Sequence, residues 1–371
     1  MLSLELCALC LVQPNQAQNT KYKEQTIMHT SDILILTGDE VRQLLEGQET
    51  SIIAAVRRAY EIHGSGNSFL PHSTFLTFPN GNSNRIIALP AYLGDEFETA
   101  GIKWISSFTG NLSLGLERAS AVVILNSMST GRPEAILEGS LISAKRTAAS
   151  AALAAISLHH DQNETRVGLI GCGSINFEIV RFLRAVFPNL AELVVYDLNA
   201  ERSRQFANRC EAEFGFAQIE FAADVNDLFR SCSLVSLATT ASQPHLASLP
   251  ETTSQRTILH ISLRDLSPEI ILNADNVVDD ADHVCRARTS LDLAAQVAGN
   301  RDFIRCSLAD VLIGRAEPRN DVHNTTIFSP FGLGILDLAV SKLVRDLAHA
   351  TDSGTVVPSF LPDSWIQTCV S

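Results

Sequence analysis

The stretch LIGCGSINFEIV, residues 169–180, sets Gly171 and Gly173 between a run of apolar β-formers and a helical pattern. In such a strand–turn–helix unit the first glycine permits the tight turn. The second lets the backbone approach a pyrophosphate seated on the helix N-terminus, here the turn carrying Ser174 and Ile175. Asn176 replaces the third glycine of the pattern, which serves close helix–strand packing, so packing is expected to suffer and phosphate binding is not. Asp197 ends the next predicted strand, where a carboxylate binds a ribose 2′-hydroxyl and repels a 2′-phosphate. NAD is therefore expected over NADP, with Arg202 and Arg204 close by as the opposing signal. Thr239, Arg146 and Thr147 are added as further cofactor contacts.

A second group could move protons or hold carboxylates. Lys103 lies inside GIKWISSF. It is either an edge residue with its ammonium in water or a lysine aimed into a cleft as carboxylate ligand or acid/base. Arg146, beside Lys145 in a helix of small residues, suits a bidentate carboxylate or, alternatively, an interdomain ion pair. Arg85 and Arg118 sit in or beside strands, where each alone reads as solvated. Asp265, in HISLRDLSPEI, follows a strand of the predicted parallel sheet, and loops at such strand ends line the cofactor cleft. Ser267 and Pro268 already supply the cap for the next helix, which frees Asp265 to act as a general acid/base.

The elements that must position these residues divide the chain. DILIL is a strand, and TGDE is a capping box opening a helix with Val41, Leu44 and Leu45 inward. A second helix turns Ile52, Val56, Ala59 and Tyr60 to one face. STFLTF, NRIIALP, GIKWISSF, SAVVILN and PEAILEG predict a largely antiparallel sheet in an α+β domain. A long alanine-rich helix follows and ends at His159–His160, whose imidazoles are expected to cap carbonyls. RVGLIG, AELVVYD, IEFAAD, SLVSLATT, TILHIS and NVVDD then alternate with helices, which predicts an α/β domain with a doubly wound, Rossmann-type parallel sheet. GLGILDLAVSKLVRDLAHA is a helix after the last strand, expected to pack back on the first domain. The expected boundaries are 29–148 with 325–371 for the first domain and 149–324 for the second. Residues 1–28 read as an extension outside the fold, with Met28 as the true start.

Bulk properties narrow the function. A net charge of −13 argues against nucleic acid or an anionic membrane as partner, and no apolar run reaches the length of a membrane span. The eight cysteines are scattered, and Cys7–Cys10 lies in no redox unit, so a reduced, cytoplasmic protein with buried thiols is expected. The ten histidines show no zinc spacing, and no metal site is expected.

The motifs GIKWISSF, STGRPEAILEGSLISAKRTAASAALAA, GLIGCGS and FSPFGLGILDLAV together resemble the ornithine cyclodeaminase/mu-crystallin family across about residues 29–366. The resemblance implies a first domain that binds a small amino-acid substrate and forms a homodimer, joined to an NAD-binding Rossmann domain. It implies Lys103 and Arg146 as ligands of a substrate carboxylate and Asp265 as the catalytic aspartate. RIIALPAYLG and HISLRDLSPEIIL point within the family to the branch that makes 2,3-diaminopropionate for siderophores or nonribosomal peptides. The implied reaction is NAD-dependent oxidative hydrolysis of N-(2-amino-2-carboxyethyl)-L-glutamate. The cyclodeaminase pattern has an arginine near PHSTF and a glutamate before Met-Pro; this chain has neither, and Arg85 or Arg118 would replace the missing positive charge. Ornithine cyclodeaminase, another amino-acid dehydrogenase and a non-catalytic cofactor-dependent binding protein are the competing readings.

Overall fold

The computed structural model describes residues 31–79, 84–216, 218–320 and 323–362. The extension 1–28, the proposed start at Met28 and the Cys7–Cys10 pair lie outside the described residues. Within them, no helix is long and apolar enough to cross a membrane.

β1 (Ile33–Leu36) leads into α1 (Gly38–Leu44) through a capping box in which Thr37 N donates to Glu40 at 2.8 Å. α2 (Glu49–Gly64) buries Ile52, Val56, Ala59 and Tyr60 at the i, i+4, i+7, i+8 spacing of one helix face. β2 (Ser68–Phe69), β3 (Thr74–Thr77), β4 (Arg85–Leu93), β5 (Thr99–Ser107), β6 (Ala119–Asn126), β7 (Pro133–Glu138) and the late β16 (Thr355–Val357) complete the first sheet. Its order is β16-β1-β7-β6-β5-β4-β2, with β3 also on β4, and only β1–β7 is parallel. Register sets Leu89, Lys103 and Val123 side by side on the inner face, and Ala88, Trp104 and Val122 on the outer face.

α3 (Ser140–Leu158) is buried along most of its length, because its alanines let α2 and the second domain approach its backbone closely. Its end departs from expectation. His159 caps no carbonyl with its ring; the buried imidazole bridges Thr257 Oγ1 at 3.1 Å and Glu164 at 2.9 Å. Desolvation of that ring makes fixed side-chain partners the better solution.

The second domain runs β8 (Arg166–Ile170), α4 (Ser174–Val186), β9 (Glu192–Tyr196), α5 (Ala200–Phe214), β10 (Gln218–Phe221), α6 (Val225–Ser231) and β11 (Leu234–Leu237). It continues with β12 (Arg256–His260), α7 (Pro268–Leu272), β13 (Asp275–Val278), α8 (Ala281–Val284), α9 (Ser290–Ala298), β14 (Ile304–Ser307), α10 (Leu308–Leu312) and β15 (Thr325–Ser329). All pairs are parallel in the order β10-β9-β8-β11-β12-β15-β13-β14. The chain winds outward from β8 in both directions, so the strand order reverses between β8 and β11 and opens a crevice there.

Two strands were not foreseen after NVVDD. β14 is short and half-buried, and β15 inserts between β12 and β13. The boundary expected at 325 therefore cuts through this sheet, and the return to the first domain follows Ser329. α11 (Gly334–Thr351) packs on α2, β4, β5 and β6, and β16 then pairs with β1.

Asn176 is fully buried without loss of packing. Its Nδ2 donates to the carbonyls of Ile170 at 3.0 Å and Gly171 at 2.7 Å, and its Oδ1 accepts from Ser236 Oγ at 2.7 Å. The amide ties the helix to both strands of the crevice, so the lost glycine is replaced by a satisfied polar contact. Asn176→Ala removes the partner of the Ser236 hydroxyl and one from the Gly171 carbonyl. A loss of about 1–3 kcal/mol in guanidinium denaturation is the expected outcome.

Candidate active site

Gly171 follows β8 with φ +91°, and a Cβ there would lie 2.5 Å from the Ala238 carbonyl oxygen, so the turn admits only glycine. Gly173 is different: a Cβ would meet nothing within 4 Å. It opens onto a cavity of ≈ 460 Å³ lined by Ser174, Ile175, Thr239, Ser262 and, from the first domain, Arg118. The 13-residue helix α4 starts here without a side-chain cap, so its first amides remain available. This cradle fits a pyrophosphate. Asp197 follows β9 and lines a neighbouring cavity of ≈ 400 Å³; its carboxylate accepts the Cys172 amide at 2.9 Å. Arg204 is paired with Glu201 at 2.8 Å, while Arg202 lines the larger cavity. Thr147 and Arg146 do not line it. The Thr147 hydroxyl donates to the Ser143 carbonyl at 2.7 Å.

Lys103 points inward and is 2% exposed, which excludes an edge residue with its ammonium in water. Its Nζ donates to Asp337 Oδ2 at 2.7 Å and to Ser143 Oγ at 3.2 Å. Arg146 Nε donates to Asp337 Oδ1 at 2.9 Å. One buried carboxylate thus serves two cations, where open carboxylate ligands were expected. Burial and the neighbouring Arg146 push the Lys103 ammonium down to about 8, against the pull of Asp337. Gly332 packs on the Arg146 guanidinium, with its φ of +95° and a would-be Cβ 2.8 Å from Nη1. The Gly332 and Phe331 amides donate to buried Asp279 at 2.7 and 2.9 Å. Burial pushes the Asp279 carboxyl up to about 6 against these bonds.

Asp265 is fully buried behind the cofactor cavity. Thr239 and Ser262, both lining that cavity, donate to its carboxylate, as does His245 Nε2 at 3.1 Å; His260 Nε2 lies 3.3 Å away. Burial opposes ionisation, but the bonds from His245, His260 and Ser262 outweigh it and hold the carboxyl below its ordinary range. The carboxylate expected as a general acid/base is thus an anion held by Thr239, Ser262 and His245. Its partner His245 has a side chain that is 42% exposed.

Arg85 stands opposite Ser107 across β4–β5, and Arg118 donates to the Ser107 hydroxyl at 2.8 Å. Burial, and for Arg118 the nearby Arg85, lowers both guanidinium values. Neither forms an ion pair among the described residues, and Arg85 Nε is buried without a hydrogen-bond partner.

The model of the ornithine cyclodeaminase/mu-crystallin family matches residues 34–352. The chain belongs to this family. Among curated relatives, alanine dehydrogenase of Archaeoglobus fulgidus is 29% identical over 89% of this chain and 99% of its own. N-((2S)-2-amino-2-carboxyethyl)-L-glutamate dehydrogenase of Staphylococcus aureus is 28% identical over 88% of this chain and 98% of its own. Among solved structures, the Thermococcus litoralis Δ1-pyrroline-2-carboxylate reductase, in complex with NADH and L-proline, superposes with a TM-score of 0.79 at 25% identity. It covers 87% of this chain and 99% of its own. An archaeal alanine dehydrogenase dimer with bound NAD gives 0.76 at 27% identity, over 88% of this chain and 99% of its own.

Two site residues escaped the sequence reading. Asp337 was legible as a carboxylate on the apolar face of a predicted helix. His245 follows β11 at the carboxyl end of a parallel strand, the same position that marked Asp265 after β12. Asp337→Ala would leave two like charges buried without a counter-ion. A destabilisation of about 3–5 kcal/mol in urea denaturation is expected.

Proposed function

We propose that this NAD-dependent amino-acid oxidoreductase converts N-(2-amino-2-carboxyethyl)-L-glutamate and water to L-2,3-diaminopropionate and 2-oxoglutarate, reducing NAD. The observation that carries the reading is the pair Arg85 and Arg118, which form no ion pair among the described residues; Arg118 lines the cofactor cavity and Arg85 a second cavity, in a protein of net charge −13. Such a pair calls for an anionic substrate and repels the cationic side chain of ornithine.

Gly173, Ser174 and Ile175 would hold the pyrophosphate of NAD, Asp197 its ribose, and Thr239 the edge nearest Asp265. Bound NAD supplies the hydride acceptor. Lys103 and Arg146 engage the carboxylate next to the reacting carbon, exchanging part of their contact with Asp337 for the substrate. Oxidation of the glutamyl Cα–N bond leaves an imine. His245, held by Asp265, takes a proton from the water that attacks the protonated imine and returns it to nitrogen. The C–N bond then breaks as the hydroxyl proton is released, the carbon becomes the carbonyl of 2-oxoglutarate, and diaminopropionate leaves as the amine. The product would supply siderophore or nonribosomal peptide assembly in the cytoplasm, where the five free thiols among the described residues would stay reduced.

The outer face of the first sheet exposes Leu76 and Trp104 beside Ala88 and Val122. A homodimer through this face covers them. Light scattering should give about twice the chain mass, falling to one chain in Trp104→Asp; a monomeric wild type excludes the dimer.

The reaction is tested by NADH absorbance with the proposed substrate, L-alanine and L-ornithine in parallel. NADH and 2-oxoglutarate from the first alone support the reading, and NADH from alanine alone replaces it with an alanine dehydrogenase. In the same assay, Lys103 loses its charge as pH rises through about 8. The kcat/KM should therefore fall above that pH, and Lys103→Met should lack this limb.

A further inference from the structure

A second cavity of ≈ 600 Å³ lies between β3 and β4 of the first domain and the loops that follow β12 and β13 of the second. Three arginines line it: Arg85, Arg264 and Arg286. Its lining holds one carboxylate, Asp292, which is already engaged by the Arg288 amide at 2.9 Å and by Gln296 at 3.3 Å. Arg264 spends one N–H on the Ala287 carbonyl at 2.9 Å and forms no ion pair among the described residues. His283, buried and with its ring 5.3 Å from that of His72, adds no fixed negative charge.

The cavity is joined to the reacting residues on two sides. Arg264 precedes Asp265 in the chain. Phe331 lines the cavity, and the next residue, Gly332, packs on Arg146. The backbone around the arginines is held in an unfavourable form. Leu263, Ala287 and Arg288 have φ of 67°, 56° and 55°, without a glycine among them. The Ser290 amide clamps the Leu263 carbonyl at 2.7 Å, so surrounding contacts enforce the geometry. Three guanidinium groups lining one cleft between domains, with Arg264 held by the Ala287 carbonyl and no ion pair to any of the three among the described residues, make a site for a planar anion.

We propose that this cavity is the subsite for a distal carboxylate of the substrate. Arg264 is its specificity-determining residue, and Arg85 and Arg286 complete it. The inference rests on the substrate reading above and deepens it: the chain selects a glutamate-like dicarboxylate over a short monocarboxylate. Alanine, which lacks an arm to enter the cavity, would leave the arginines unanswered.

The test is calorimetric binding of 2-oxoglutarate and of pyruvate to the NADH-loaded protein. Wild type should bind 2-oxoglutarate about tenfold tighter than pyruvate, as expected for one added charge-assisted contact. Arg264→Ala should abolish that ratio, Arg264→Lys should restore part of it, and Arg286→Ala, at an exposed position, should lower it without a folding defect. A wild type without preference overturns the proposal. So does an Arg264→Ala protein that keeps the preference, or one that loses both ligands alike. Because the ratio is read from binding, it is independent of turnover. A dicarboxylate preference without NADH from N-(2-amino-2-carboxyethyl)-L-glutamate sinks the named substrate and leaves the subsite standing.

Discussion

The carboxylate of Asp337 is the point on which the two halves of the molecule depend. It is completely buried, and it receives Lys103 from β5 and Arg146 from α3. Three elements far apart in the chain are thereby fixed at one atom group. Desolvated charges of this kind contribute little net stability, but removing one partner leaves the others stranded. The arrangement therefore specifies geometry more than it adds stability. It sets α11 against the inner face of the first sheet and holds α3 where the second domain begins.

The same economy governs the cofactor side. The crevice exists because strand order reverses between β8 and β11, and Asn176 closes its base by bonding to both strands. Asp265 closes its rim, gathering Thr239, Ser262, His245 and His260 around one anion. Both are buried polar groups with their partners supplied, which is what permits polar chemistry inside an otherwise apolar sheet. The arginines stand apart from this pattern. Arg85, Arg118 and Arg264 form no ion pair among the described residues, and that deficit is the ground for the proposed substrate site.

The placement of buried groups followed from local pattern wherever one element alone determined it. The capping box at Thr37, the inward face of α2 and the glycine turn after β8 needed no knowledge of the rest of the chain. β14 and β15 were missed, and β15 reaches its place between β12 and β13 only through pairing with both. Asn176 was misread because its benefit lies in Ser236, sixty residues away. Asp265 was found by position, but its partners Thr239 and His245 come from a different stretch of the chain and were not foreseen.

The sequence by itself determined the two-domain order, the dinucleotide turn, the family and several of the charged residues around the site, among them Lys103, Arg146 and Asp265. These are properties of residue type and of spacing along the chain. Which charges are paired and which are left over was decided by tertiary structure. Lys103 could have pointed to water or to the interior, and the register of β5 with α11 and α3 against its inner face settles it. Arg264 reads as an ordinary surface arginine until β3 and β4 close over it from the other domain. A charge acquires its function from what surrounds it in space, and only the fold brings those neighbours together.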